Sequence, residues 1–149
     1  MTGIMTAAGS LLAISAALPA TPNEAGFAAL TFTNIGMVDK IGPMGATYGQ
    51  TTFQPLVGPE ITIKGGAKYG VINPSYAVDS EDAGQALMKT ASDDQIANFS
   101  FRLTRPDGAI KYWEGKVFGV PEDIGTAEAV IMANPVVAIN TKPVEVEAP

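Results

Sequence analysis

Between Asp79 and Phe118 the spacing of apolar residues changes from helical to alternating, which predicts a helix followed by a hairpin. Ala83, Ala86, Leu87 and Ala91 fall on one helical face, with Gln85 and Lys89 directed away from it. Asp79 or Ser80 is placed to accept the free N–H groups of a first turn, and Glu81 and Asp82 put negative charge at the positive end of the helix dipole. One short α-helix over about residues 80–91 is the expectation. Phe99, Phe101 and Leu103 then alternate with Ser100, Arg102 and Thr104, the pattern of a half-buried strand. In Arg105-Pro106-Asp107-Gly108 the proline presets φ at the second turn position and the glycine takes the left-handed one. The return strand from Ala109 to Phe118 sets Tyr112 beside Trp113, and neighbours on a regular strand face opposite ways. Either both faces of that strand are covered or a bulge near Gly115 shifts its phase.

Elsewhere the pattern is of short strands and many turns. Leu11, Leu12, Ile14 and Leu18 make the N-terminal segment apolar, and Thr21 to Gly26 reads as a linker. Leu30, Phe32, Ile35, Val38 and Ile41 suggest two short strands around Asn34 to Gly36, followed by a glycine-rich loop from Gly42 to Gly49. Thr51 to Leu56 is a candidate strand. Glu60 to Lys64 alternates, turns at Gly65-Gly66 and resumes as Ala67 to Ile72. No helical segment lies near this hairpin to cover Ile61 and Ile63, so it either projects from the body or turns its isoleucines to the core. A loop from Gly119 to Gly125 leads to strands at Glu128–Asn134 and Val136–Thr141. The expected organisation is one mainly β domain over residues 27–141, with an N-terminal extension at 1–26 and a C-terminal tail at 142–149.

Composition narrows the chemistry. The 149 residues contain neither cysteine nor histidine, which removes disulfides, thiolate metal sites, the commonest general base and the triads built on it. No cofactor or metal is expected. Asp79, Glu81 and Asp82 do not alternate as calcium ligands do, and Gly42, Gly45 and Gly49 lack the lysine and the helix of a phosphate loop. Glu114 with Asp107 or Glu122 is the only glycosidase-like pairing, and nothing in the sequence draws those carboxylates into one cleft. Ser10, Ser15, Ser80 and Ser100 have no partner base. The N-terminal apolar run has no basic residue ahead of it and is too short to span a bilayer, which argues against a secretory signal and a membrane role. Lys and Arg number 9 against 15 Asp and Glu, a net charge of −6 with no basic groove, so phosphate neutralisation is not how this chain meets nucleic acid.

The block Asp82-Ala83-Gly84-Gln85-Ala86-Leu87, then a strand, then Arg105-Pro106-Asp107-Gly108, then Tyr112-Trp113-Glu114-Gly115-Lys116-Val117 resembles the tail tube proteins of long-tailed phages, of the lambda-like, non-contractile kind. Met44 to Gly49 and Lys64-Gly65-Gly66 sit in matching places, and the similarity covers residues 28 to 141. This resemblance implies a β-sandwich or barrel with one flanking helix, in a subunit that assembles into hexameric rings stacked as a hollow conduit for DNA ejection. It implies tape-measure, tail-terminator and tail-tip proteins as partners, synthesis in the host cytoplasm and a final place in the virion. Inter-subunit or inter-ring contact is then expected at Ile61, Ile63, Lys64, Lys68 and Tyr69. Six copies would carry a formal charge of about −36, a bore wall along which DNA slides without specific binding. Two other readings compete. A tail terminator would stop at one ring, and a monomeric carbohydrate-binding sandwich would use Tyr112 or Trp113 on an open face.

Overall fold

The computed structural model describes residues 4–147. The outermost ends of the expected N-terminal extension and C-terminal tail lie outside the described residues. In chain order the elements are β1 (Leu11–Ser15), α1 (Glu24–Ala28), β2 (Thr33–Asn34), β3 (Val38–Lys40), β4 (Thr47–Phe53), β5 (Ile61–Lys68), β6 (Val71–Ile72) and β7 (Ser75–Ala77). They continue with α2 (Ala83–Asp93), β8 (Phe99–Thr104), β9 (Ile110–Val117), β10 (Glu122–Asp123), β11 (Met132–Ala133), β12 (Val137–Ile139) and β13 (Val144–Val146). The fold is mainly β with a flanking helix, as the periodicity predicts.

A seven-stranded antiparallel sheet in the order β2-β1-β8-β9-β12-β6, with β13 also paired to β9, forms the body. A four-stranded sheet, β10-β11-β7-β3, packs over it, and β4 and β5 make a separate two-stranded ribbon. The β8–β9 hairpin turns where the sequence placed it: Gly108 has φ +95° and donates its N–H to the Arg105 carbonyl at 2.9 Å. Its register runs without a shift from Phe99↔Gly115 to Thr104↔Ile110, so there is no bulge at Gly115. Tyr112 and Trp113 are both buried because both faces of β9 are covered. On one face Trp113 stacks on Phe101 with ring centroids 5.6 Å apart, in a core with Leu12, Ile14, Ile72, Tyr76, Met88 and Val137. On the other, Tyr112 stacks on Phe27 of α1 at 5.2 Å and meets Phe32 at 5.8 Å.

The N-terminal segment is therefore part of the sheet rather than an appendage. Leu12, Ala13 and Ile14 are buried in β1, between β2 and β8, and the chain then folds back across the Tyr112 face. Leu12 and Ile14 of its apolar run are enclosed in this way, while Leu11 and Leu18 stay about half exposed. The expected linker at Thr21–Gly26 is the start of a helix, because the Asn23 side chain accepts the Gly26 N–H at 2.8 Å and caps α1. The expected tail likewise joins the sheet: Val144–Val146 pairs with β9, and Lys111 meets Glu145 at 3.4 Å.

Two details of α2 also differ from the pattern. Its cap is Asp82, whose carboxylate accepts the N–H of Gln85 at 2.9 Å and that of Gly36 at 3.0 Å, so Asp79 and Ser80 precede the helix. Gln85 points inward and is 4% exposed. Its Nε2 donates to the carbonyls of Gly36 at 3.1 Å and Ala77 at 2.8 Å, and its Oε1 accepts the Asp79 N–H at 2.8 Å. The buried face is thus Gly84, Gln85, Met88 and Ala91, while Ala83 and Ala86 are exposed. Gly84 is required there, since a Cβ would collide with the Asn34 carbonyl of β2. Helical period placed Leu87 and Ala91 on the inner face correctly but put Ala83 and Ala86 there too and Gln85 outside, because a glutamine that satisfies three backbone groups looks like a surface residue in a hydropathy pattern.

Gln85→Leu strands two carbonyls and one N–H in the interior, each costing about 1–3 kcal/mol when unsatisfied, so we expect a loss of roughly 2–4 kcal/mol in urea unfolding. Tyr76 behaves oppositely. Its hydroxyl has no hydrogen-bond partner among the described residues, and burial, with the charges of Glu122 and Asp82 adding, raises its pKa to about 12. The folded chain then holds this proton through a range in which the unfolded chain releases it, so stability falls as pH rises above about 10. Tyr76→Phe is expected to be neutral or stabilising at pH 7 and to flatten that alkaline slope in denaturation measured between pH 9 and 11.

Candidate assembly surface

The ribbon of β4 and β5 is an arm with no cover from the other described residues. Every residue of β5 is exposed, as is every residue of β4 except Gly49. The two strands contact each other far more than anything else in the molecule. An isolated two-stranded hairpin is marginally stable in water, so this one is held by its strand pairing and by its root. Tyr69, just beyond β5, packs against the core and anchors that root.

The turn of the arm is not at Gly65-Gly66. β5 runs straight through both glycines, and the register shifts there: Tyr48 pairs with Ala67 and Gln50 with Lys64, so Gly65 and Gly66 together oppose Gly49. This is a β-bulge, in which small residues let two backbones approach, rather than a glycine turn. The chain reverses instead between Phe53 and Ile61. Gln54 clasps that reversal, its Nε2 donating to the carbonyls of Pro55 and Gly58 at 3.1 Å each. Gln54-Pro55-Leu56-Val57-Gly58-Pro59 carried the turn signal in its two prolines and glycine, but the double glycine offered a shorter and more familiar one.

Cross-strand pairing sorts the arm into two faces. Phe53 opposes Ile61 and Thr51 opposes Ile63, giving one apolar face, while Thr52 opposes Thr62 and Gln50 opposes Lys64 on the other. Lys64 holds its ammonium 3.9 Å from the Tyr48 ring centroid, a cation–π contact on that polar face. At the tip Leu56 and Val57 stand free in solvent, 106% and 91% exposed. Of the residues expected to make contacts, Ile61, Ile63 and Lys64 lie along the arm, Lys68 lies at its base and Tyr69 lies in the root. Phe53, Leu56, Val57 and Tyr48 belong to the same surface and escaped the sequence pattern because they flank a turn set in the wrong place.

Other edges are poor templates. The strands that end the two larger sheets, β2, β6, β10 and β3, are two or three residues long, as edges protected from uncontrolled pairing tend to be. The arm offers two free edges of seven and eight residues. A second exposed apolar set, Phe118, Ile124 and Val130, flanks β10. Tyr112 and Trp113, at 5% and 0% exposure, have no open face, which removes the carbohydrate-binding reading built on them. Among the described residues no group of three or more His, Cys, Asp or Glu could hold a metal, and no helix is long and apolar enough to cross a membrane.

No family model matches the sequence, and no curated protein matches it. Solved structures do match its fold. A chain in the cryo-EM structure of the sheath/tube terminator of an extracellular contractile injection system, PVC, in the extended state superposes with a TM-score of 0.73 at 6% identity, covering 99% of each chain. A chain in the six-fold symmetrised cryo-EM structure of the anti-feeding prophage baseplate gives a TM-score of 0.70 at 9% identity, again covering 99% of each. The chain shares its fold with these two chains. At such identities the shared property is the fold, retained over the whole length including β1 and β13.

Limited trypsin treatment of the chain should cut first after Lys64 or Lys68, since a local segment with few contacts opens most easily. Mass spectrometry of the first fragments checks this, with sites in the body cut more slowly.

Proposed function

We propose that this chain is a structural subunit of a phage-like tail, whose copies associate into rings that stack as a hollow tube. The observation that carries this reading is the uncovered arm, an amphipathic ribbon with an apolar tip that nothing among the described residues buries. Fully burying a Leu, Ile, Val or Phe side chain is worth about 1.5–3 kcal/mol. Association itself costs about 4–15 kcal/mol, so one arm contact gives weak binding. A closed ring, in which every subunit both gives and receives an arm, multiplies the contacts without leaving one unmatched. Large exposed apolar surfaces mark such interaction sites.

The likeness in fold to chains of contractile injection particles supports a place in a tail or baseplate, in a virion or a virion-like particle, and a structural rather than catalytic role. Assembly is with itself through Ile61, Ile63, Lys64 and Lys68 and, as in tail tubes, with tape-measure, terminator and tip proteins. Hexameric rings, passage of DNA along a negative bore, and a non-contractile tail are the finer parts of the same proposal, drawn from the resemblance. The solved chains come from contractile systems and lend the non-contractile part no support, and at such identities a shared fold does not extend to tail type.

A second reading is a tail terminator, favoured by the likeness to a chain from the PVC sheath/tube terminator structure. Negative-stain microscopy of the purified chain separates the two. Stacked tubes support the tube subunit, single rings the terminator, and solitary particles at high concentration overturn both. Ile61→Asp with Ile63→Asp is expected to leave circular dichroism and melting of the body unchanged while sedimentation shows only monomer.

A further inference from the structure

We propose that the arm tip, Leu56 and Val57, seats in the groove beside β3 of a neighbouring copy, with Glu60 meeting Lys40 at the rim. This rests on the self-assembly reading and names its acceptor. The groove has a volume of about 480 Å³ and an apolar lining that includes Met5, Val38, Ile41, Leu103 and Pro106. Clefts of about 300–1,000 Å³ accommodate ligand-sized bodies, and this one suits two aliphatic side chains with a flanking proline.

Charge complementarity selects a second copy of this chain as the occupant. Between Thr51 and Ile63 the arm has a single charged residue, Glu60. The groove is lined by Lys40, Arg105 and Asp39. Arg105 is engaged by Asp107 at 3.2 Å, and Lys40 makes no ion pair among the described residues, so Lys40 is the cation left for Glu60.

Geometry excludes a chain's own tip. The groove lies at Val38–Gly42, immediately before the arm begins at Thr47, whereas seven strand residues carry the tip about 23 Å from that root. Tip and groove lie in different places on the chain, so the contact is heterologous and propagates head to tail until a ring closes or a filament grows.

The chain has no cysteine, which makes single-cysteine variants clean probes. L56C and I41C chains are mixed, assembled and oxidised, with L56C mixed with I96C as the control, because Ile96 is 87% exposed and outside the groove. A disulfide forms only between Cα atoms about 4.4–6.8 Å apart. The expected result is a mixed L56C–I41C dimer several-fold over the control, together with weakened assembly of K40E that E60K restores in the double variant. If wild-type chains form rings or tubes but L56C joins I96C as readily as I41C, or K40E assembles normally, the tip lies elsewhere and only this inference falls. If wild-type chains stay solitary at high concentration, the assembly reading falls with it.

Discussion

Burial of β9 on both faces is the constraint on which the body depends. Trp113 looks into the core beneath α2 and the smaller sheet, and Tyr112 looks into the layer made by the returning N-terminal segment. A strand with large aromatics on alternate faces cannot lie at the surface of a two-layer sandwich, so the chain must furnish a third layer. It does so with Phe27 and Phe32, and Ser100 fastens that layer by donating to the Ala17 carbonyl at 2.7 Å. The course of the chain from Ala17 to Phe32 answers this demand.

The arm is the counterpart of that closed body. The large apolar side chains of β8 and β9 are covered within the chain, whereas Phe53, Ile61 and Ile63 stay about half exposed and Leu56 and Val57 almost wholly so. The proposed assembly depends on this ribbon rather than on the body. The polar hub of Asp82 and Gln85 serves the same division: it locks α2 to Gly36 and Ala77, flanking β3 and ending β7, and so fixes the wall beside which the arm emerges.

Much of this was legible in sequence because it depends on local rules. The β8–β9 hairpin follows from strict alternation and a Pro-Asp-Gly turn, and the presence of α2 follows from its period. Misplacements occurred where two local signals competed or where a residue acted at a distance. Gly65-Gly66 read as a turn because glycine pairs usually are, yet the prolines around Leu56 and Val57 turned the chain first and left the glycines to absorb a bulge. Gln85 read as solvent-facing because its three partners lie six, eight and forty-nine positions away.

The sequence by itself determined the class of fold, the hairpin and the absence of histidine and cysteine chemistry, since each depends on residue type and short spacing. Only the tertiary structure decided that β1 lies between β2 and β8, that β13 completes the sheet and that the ribbon from Thr47 to Lys68 stands alone. Those facts depend on which surfaces meet across long separations, and alternation along a strand is identical whether its apolar face meets a core, a neighbouring copy or water.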